Sequence, residues 1–414
     1  MRLPSAAPAL AAALLLASCG SGNGDSAQPL TFVHGAVDAT GTLTVNGTAF
    51  DTRGAVVRYL DDGRTLTAAD APSGLPFVAG TVVAVRGAIA HDRRTGVADE
   101  VMVRSVLRGP LQGRAESSIA VAGADVLLDS RTAILGEAGA PASIESLPAG
   151  ARVEVHGWPE SGTRVRATLV RALPGDPLVA VHGWTLAAPV SGAFDLSLVP
   201  GGAPVLRVDA ASATTSPTVP ANALVRVGGS GIAAGAPPVL AATSVDVLAQ
   251  LLPVGEDRAV VEGVVSSGAL ASFTVGDHLV RTTTATIFDG VPQGSSADAV
   301  FAPGVRLVVE GARQGRELAA ERVRFVDVQR HAGRIAPGSF HLLNPAAAGS
   351  FTLGGEIVVV EDFATRITAT GAAITLRQLF ELHSAEAAGL PIVAHGYRRA
   401  DGAVRTHRID VAAP

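Results

Sequence analysis

Apolar and polar residues alternate over short stretches of this chain, and a turn signal interrupts them every several residues. TLTVNG (42–47), SIAVAG (118–123), FDLSLVPGG (194–202), SFTVGD (272–277) and SFTLGG (350–355) show the pattern. Leu43/Val45, Ile119/Val121, Phe273/Val275 and Phe351/Leu353 recur with period two, so each stretch is a strand with one face turned inward. Asn46-Gly47 and Gly354-Gly355 predict two-residue hairpin turns, which need positive φ at both central residues. A third strand follows each: AFDT, VLLDS, VLRVDA, LVRTT and IVVVED. After a variable segment comes a fourth strand (VVAVRG, RVEVHG, LVRVGG, LVVEG, IVAHG) and then a fifth (EVMVRSV, ATLVRAL, ATSVDVL, AERVRFV, THRIDV). Helical periodicity is confined mainly to the longest variable segment, ITLRQLFELHSAEAAG. There Thr375 can cap a helix with Leu376, Leu379, Phe380 and His383 on one side, and Gly389 can end it.

The set of strands repeats. A Gly in the first strand of each copy (Gly35, Gly113, Gly183, Gly263, Gly333) recurs at steps of 78, 70, 80 and 70 residues. Periods this long suit small domains, each with its own core, rather than solenoid repeats. The predicted fold is all-β: five tandem five-stranded modules of OB type, with three strands, a loop or short helix, then two strands. The segments are 1–18 (signal peptide), 19–30 (flexible tether), 31–108, 109–175, 176–253, 254–328 and 329–414. In module 4 the expected core includes Val260, Phe273, Val275, Ile287, Val308 and Val323, and this module should fold alone. The pattern resembles the tandem β-repeat of bacterial envelope lipoproteins known as the domain of unknown function five-six-six-six. The third copy departs most, with a Pro-rich stretch near Pro217 and Pro220. The resemblance implies an architecture and a location. It implies no activity.

The first residues, MRLPSAAPALAAALLLASCG, place Arg2 before an apolar run too short to span a bilayer. Leu16-Ala17-Ser18-Cys19 resembles a lipobox, in which the Cys becomes an acylated N-terminus. Lipidation is expected at Cys19, with membrane attachment through the lipid, and GSGNGDSAQ behind it reads as a tether. Gly20 rather than Asp after the Cys favours, by resemblance, the outer membrane of a Gram-negative cell. With one Cys in 414 residues there is no disulfide, redox pair or zinc knuckle to build. The chain has no Lys, so all 32 cationic residues are Arg. A net charge of −5 with few aromatics argues against nucleic acid as a partner.

The candidate chemistry lies in a repeated motif, VEVHGW (153–158) and VAVHGW (179–184). The residue before the Gly is His34, Arg86, His156, His182, Glu262, Glu310 or His395. Only polarity is kept, and on a strand flanked by Val this position is expected to face water. A metal site would need converging imidazoles, and the spacing gives no convergence, so no metal or cofactor is expected. Aromatics follow three of the Gly residues. His156/Trp158, His182/Trp184 and His395/Tyr397 could form stacking faces for a glycan or small ligand, or a bulge could turn each aromatic inward. Acidic residues ending the third strand (Asp51, Asp129, Asp209, Glu361/Asp362), with Thr282/Thr283 in copy four, read as turn caps. GGSGIAAG (228–235) reads as a hairpin loop. No nucleophile elbow, phosphate loop or HExxH occurs, so no catalytic residue is assigned. The leading expectation is a non-enzymatic envelope lipoprotein that scaffolds or binds an envelope protein or polysaccharide.

Overall fold

The computed structural model describes residues 31–67, 69–70, 77–90, 92–215, 218–248, 258–314, 317–344, 348–361, 365–399 and 401–412. The signal peptide, Cys19 and the tether lie outside the described residues. The chain is nearly all β, as its alternation predicts.

Each module runs its hydrogen-bonded strands in one cycle. In module 2 the first strand (Leu107–Ala115) pairs with the second (Ser118–Val121), and the second with the third (Ala124–Leu127). The third lies parallel to the fifth (Arg164–Ala172), the fifth antiparallel to the fourth (Arg152–Ser161), and the fourth pairs with the first again. Module 3 and module 4 repeat the cycle. In modules 1 and 5 isolated bridges, Val37–Val45 and Ile335–Leu353, stand in for the pairing of first and second strands. This 1-2-3-5-4 order is the OB order that three strands, a crossover and two strands predict. The hairpin turns follow their residues: Asn46 and Gly47 have φ of 52° and 80°, and Gly354 and Gly355 have 60° and 86°. Among the described residues the one long helix, Leu376–Ala385, starts at a Thr375/Gln378 capping box and buries Leu376, Leu379 and His383. Three of the acidic turn residues act as caps: Asp51, Asp129 and Asp209 each accept a backbone N–H two residues on, whereas Glu361 pairs with Arg164 and Arg405 and Asp362 lies outside the described residues. Residues 228–233 continue the fourth strand of module 3 rather than forming a loop.

The modules are not beads. The first strands of modules 1 and 4 run parallel and pair, His34 opposite Val261. Those of modules 2 and 3 pair antiparallel, Leu107 opposite Val181. Modules 2 and 3 share one apolar core, from Leu107 and Val155 through Val181 and Val227. Phe32 and Ala84 of module 1 pack into the core of module 4. The expectation of one core per module therefore holds only in part, because pairing first strands brings two inner faces within reach of each other. It also resets the register in module 4. Ala259 and Val261 point into its core, while Val260 leans on the core of module 1. Phe273, Val275, Val308 and Val323 are buried as expected, but Ile287 is 50% exposed and its neighbour Phe288 packs inward instead. Alternation fixes which residues share a face; it does not say which face is inside. Among the described residues, no helix is long and apolar enough to cross a membrane.

Candidate functional site

The polar position before the strand glycine does not face water. His34, His156, His182, Glu262, Glu310 and His395 are buried, and only Arg86 is half-exposed. The expectation of a solvated strand face fails because that face, outer for one module, is where the next module docks.

Glycine makes the motif's geometry. The register against the fifth strand slips between His156 and Gly157, and again between Glu310/Gly311 and His395/Gly396. A Cβ on Gly157 would lie 2.2 Å from the Arg166 carbonyl oxygen, so no side chain fits without parting the strands. The bulge turns the next aromatic inward. Trp158 packs with Ala36 and Val82 of module 1 and Val264 of module 4, not within its own module. Tyr397 lies under the Arg166 guanidinium, 3.5 Å from its ring centre. Gly183 is different: no slip occurs there, and its backbone is crowded by the Ser197 carbonyl, 2.6 Å from a would-be Cβ. Trp184 is half-buried and lines a small cavity with Trp158, His34, His182 and Asp277. The three expected His–aromatic faces are therefore not brought to the surface. Trp158 and Tyr397 are buried, which removes the flat exposed rings that sugar stacking needs.

Two buried polar seams result. One gathers His34 and Val82 of module 1, Trp158 of module 2, His182 of module 3 and Asp277/His278 of module 4. The His34 ring meets Trp158 and His278 edge-on, each at 5.6 Å. His34, Asp277 and His278 each offer a ligand atom within 4.8 Å of the others. The imidazole convergence that spacing did not reveal is therefore present, between His34 and His278, 244 residues apart in the chain. Burial, together with the positive charge of His278, lowers the His34 pKa to about 3. Burial also lowers that of His278, against the pull of Asp277. Burial alone would raise the Asp277 carboxyl, but His278, Arg104 and His34 outweigh it and lower it. Beside this group, His156 Nδ1 lies 3.2 Å from the Arg104 carbonyl oxygen, and its Nε2 lies 3.5 Å from Glu154. His182 Nδ1 is 3.5 Å from Asp61, which accepts a hydrogen bond from the Ser105 hydroxyl.

The second seam joins modules 2, 4 and 5. Arg166 donates to Glu160 at 2.7 and 3.1 Å and to the Gly304 carbonyl at 2.5 Å. Arg405 donates to Glu160 and to the Tyr397 hydroxyl, at 2.8 and 2.7 Å, and to Glu361 at 2.8 Å. Burial would raise Glu160, but Arg405 and Arg166 hold it at about 2. His395 reaches module 4 through the Ser295 hydroxyl, 2.8 Å from its Nε2. Sequence reading missed Asp277, His278, Glu160, Arg166 and Arg405. The one usable signal was the absence of Lys, since Arg is the cation suited to buried, multidentate pairs.

The family profile of the Domain of unknown function (DUF5666) matches residues 108–171 and 262–324. The domain matches the chain twice, in two separate regions, consistent with repeats of it. Each DUF5666 match runs from the first strand of a module to its fifth, in modules 2 and 4, so the unit of the family is one cycle of strands. No curated protein matches the chain.

Proposed function

We propose that this is a non-enzymatic envelope lipoprotein, anchored by Cys19 to the outer membrane of a Gram-negative cell, whose DUF5666 modules act as one rigid docking body for an envelope protein or polysaccharide. The observation that carries this reading is the location of the convergent polar groups. They lie buried in seams between modules, where they hold surfaces in a fixed relation and line cavities of only about 30 and 50 Å³. The body offers a groove of about 320 Å³ between modules 1 and 4. Val33, Ile89, Val260 and Val308 contribute its apolar lining, and its charged lining is Arg93 and Arg322, paired with Glu310 and Asp289, together with Arg324. A mildly acidic chain disfavours nucleic acid as the occupant. Stacking on the His-Gly-aromatic faces loses support because two of the three rings are inside. Two measurements test the reading. Cys19→Ala should release the chain from salt-washed membranes, and continued membrane association would end the lipid anchor. A photo-crosslinker at Arg324 in living cells should capture one defined envelope component that a crosslinker at exposed Leu343 does not. Equal patterns at the two positions would end the groove as a docking site.

A further inference from the structure

We propose that His34, Asp277 and His278 bind one divalent cation of the zinc class, which clamps module 1 to module 4. The inference is independent of the lipid anchor and of any docking partner.

The donors are placed for it. The three ligand atoms fall within 4.8 Å of one another, and His278 Nε2 lies 3.1 Å from Asp277 Oδ1. Zinc bonds of about 2.0–2.2 Å at tetrahedral angles put ligand atoms roughly 3.3 Å apart. The Asp277/His278 pair is therefore at bonding separation already, and the His34 nitrogen, within 4.8 Å of both, would have to draw closer to complete the set.

The donors also lack other partners. Both ring nitrogens of His34, both carboxylate oxygens of Asp277 and Nε2 of His278 are buried and make no hydrogen bond. Such groups are costly to bury unless something satisfies them. The 3.1 Å approach of His278 to Asp277 is not a hydrogen bond, and Arg104 stands 3.8 Å from Asp277 Oδ2, too far to make one. One cation would satisfy a nitrogen from each imidazole and one carboxylate oxygen at once.

The chemistry of the set selects the metal. Two imidazoles and one carboxylate suit zinc and its late first-row neighbours, whereas calcium and magnesium need an oxygen cage. A fourth position is available: the adjoining cavity, lined by His34, Asp277, Trp158 and Trp184, has a volume of about 30 Å³. That is room for one water. Arg104 faces the other oxygen of Asp277 and orients the carboxylate, while its charge opposes the cation. Affinity should therefore fall below that of a closed four-ligand site. Because His34 sits on a module 1 strand and Asp277/His278 lie at the tight turn of Gly276 in module 4, the ion would add a cross-link to the strand pairing and shared apolar packing that already join the two modules.

The test uses the full chain in detergent, stripped with dipicolinate and titrated with zinc sulfate. Binding of one zinc per chain, with a rise in melting temperature, is expected. His34→Gln and His278→Gln should each weaken binding by at least about 100-fold, beyond the 10–100-fold seen for changes outside a ligand set. Zinc binding unchanged in the His34→Gln/His278→Gln double variant would place the metal elsewhere and overturn the proposal. So would the absence of binding to the folded wild-type chain. If a variant fails to fold, X-ray absorption on zinc-loaded wild type decides instead. A shell of two imidazoles plus oxygen supports the site, and any other imidazole count overturns it.

Discussion

The two seams are built from similar residue types and differ in how completely they are satisfied. Around Glu160 the charges close on themselves: Arg166 and Arg405 share its carboxylate, Tyr397 and Gly304 take further donors, and Glu361 holds the rest of Arg405. None of the polar atoms of Glu160, Arg166 or Arg405 is left buried without a partner. Around His34 the opposite holds, and a carboxylate, two imidazoles and the Trp158 indole N–H are buried together with donors and acceptors unmatched. The Glu160 cluster is cement between modules 2, 4 and 5, with no polar atom of Glu160, Arg166 or Arg405 left over. An unsaturated cluster of the same burial leaves donors and acceptors for a ligand to satisfy. Burial therefore does not distinguish a structural cluster from a ligand site, and the hydrogen-bond inventory does.

The largest effect should come from the saturated seam. Glu160→Ala leaves Arg166 buried without its carboxylate and Arg405 with Glu361 alone, and should cost about 3–5 kcal/mol, read by denaturant unfolding. A cost under about 1 kcal/mol would mean that the seam is hydrated and the modules are loosely docked. The next comparison sets glycine against histidine within one motif. Gly157→Val should cost about 1–3 kcal/mol, because the strand must part from Arg166. His156→Thr should cost about as much, since it strips partners from Glu154 and Arg104 in a buried site. A neutral His156→Thr would return that position to the solvent-facing role its sequence context suggests.

Acid should separate two kinds of group along this seam: the saturated carboxylate of Glu160, and the imidazoles of His395 and His407 beside it, where His395 Nδ1 and both His407 ring nitrogens are buried without a hydrogen bond. His395 and His407 are held neutral in the folded chain, chiefly by burial, at about 4 and about 3 against an ordinary 6.5. The unfolded chain takes up those protons first, so their contribution declines as pH falls below 6.5 towards those values. Glu160 runs lower. Its folded value of about 2 against 4.5 gives stability that is complete above 4.5 and lost as pH falls through 2. Urea midpoints measured down the pH scale should show both declines, and Glu160→Gln should shrink only the lower one. The smallest effect tests the register of module 4. Ile287→Thr, at a half-exposed position, should stay within about 0.5 kcal/mol by thermal melting. A loss of several times that would put Ile287 back in the core.

By itself the sequence determined the strands, their order, the hairpin turns, the capped helix and the repeat. These rest on local chemistry: period-two alternation, positive φ at Asn46-Gly47 and Gly354-Gly355, and the Thr375/Gln378 box. The glycine bends were legible for the same reason at Gly157. What the sequence did not contain is which outer face meets which. Trp158 was legible as a residue that a bulge could turn inward, but its partners, Ala36, Val82 and Val264, belong to other modules. His34 and His278 are 244 positions apart, and nothing in their spacing brings them together. Pairing of the first strands of modules 1 and 4 does so, and that choice depends on the fit of two whole surfaces rather than on any short segment. The tertiary structure alone turned a row of apparently solvated polar residues into two buried seams. A strand records its inner face in its hydrophobic pattern, but a docked outer face can stay polar when its partners are polar too.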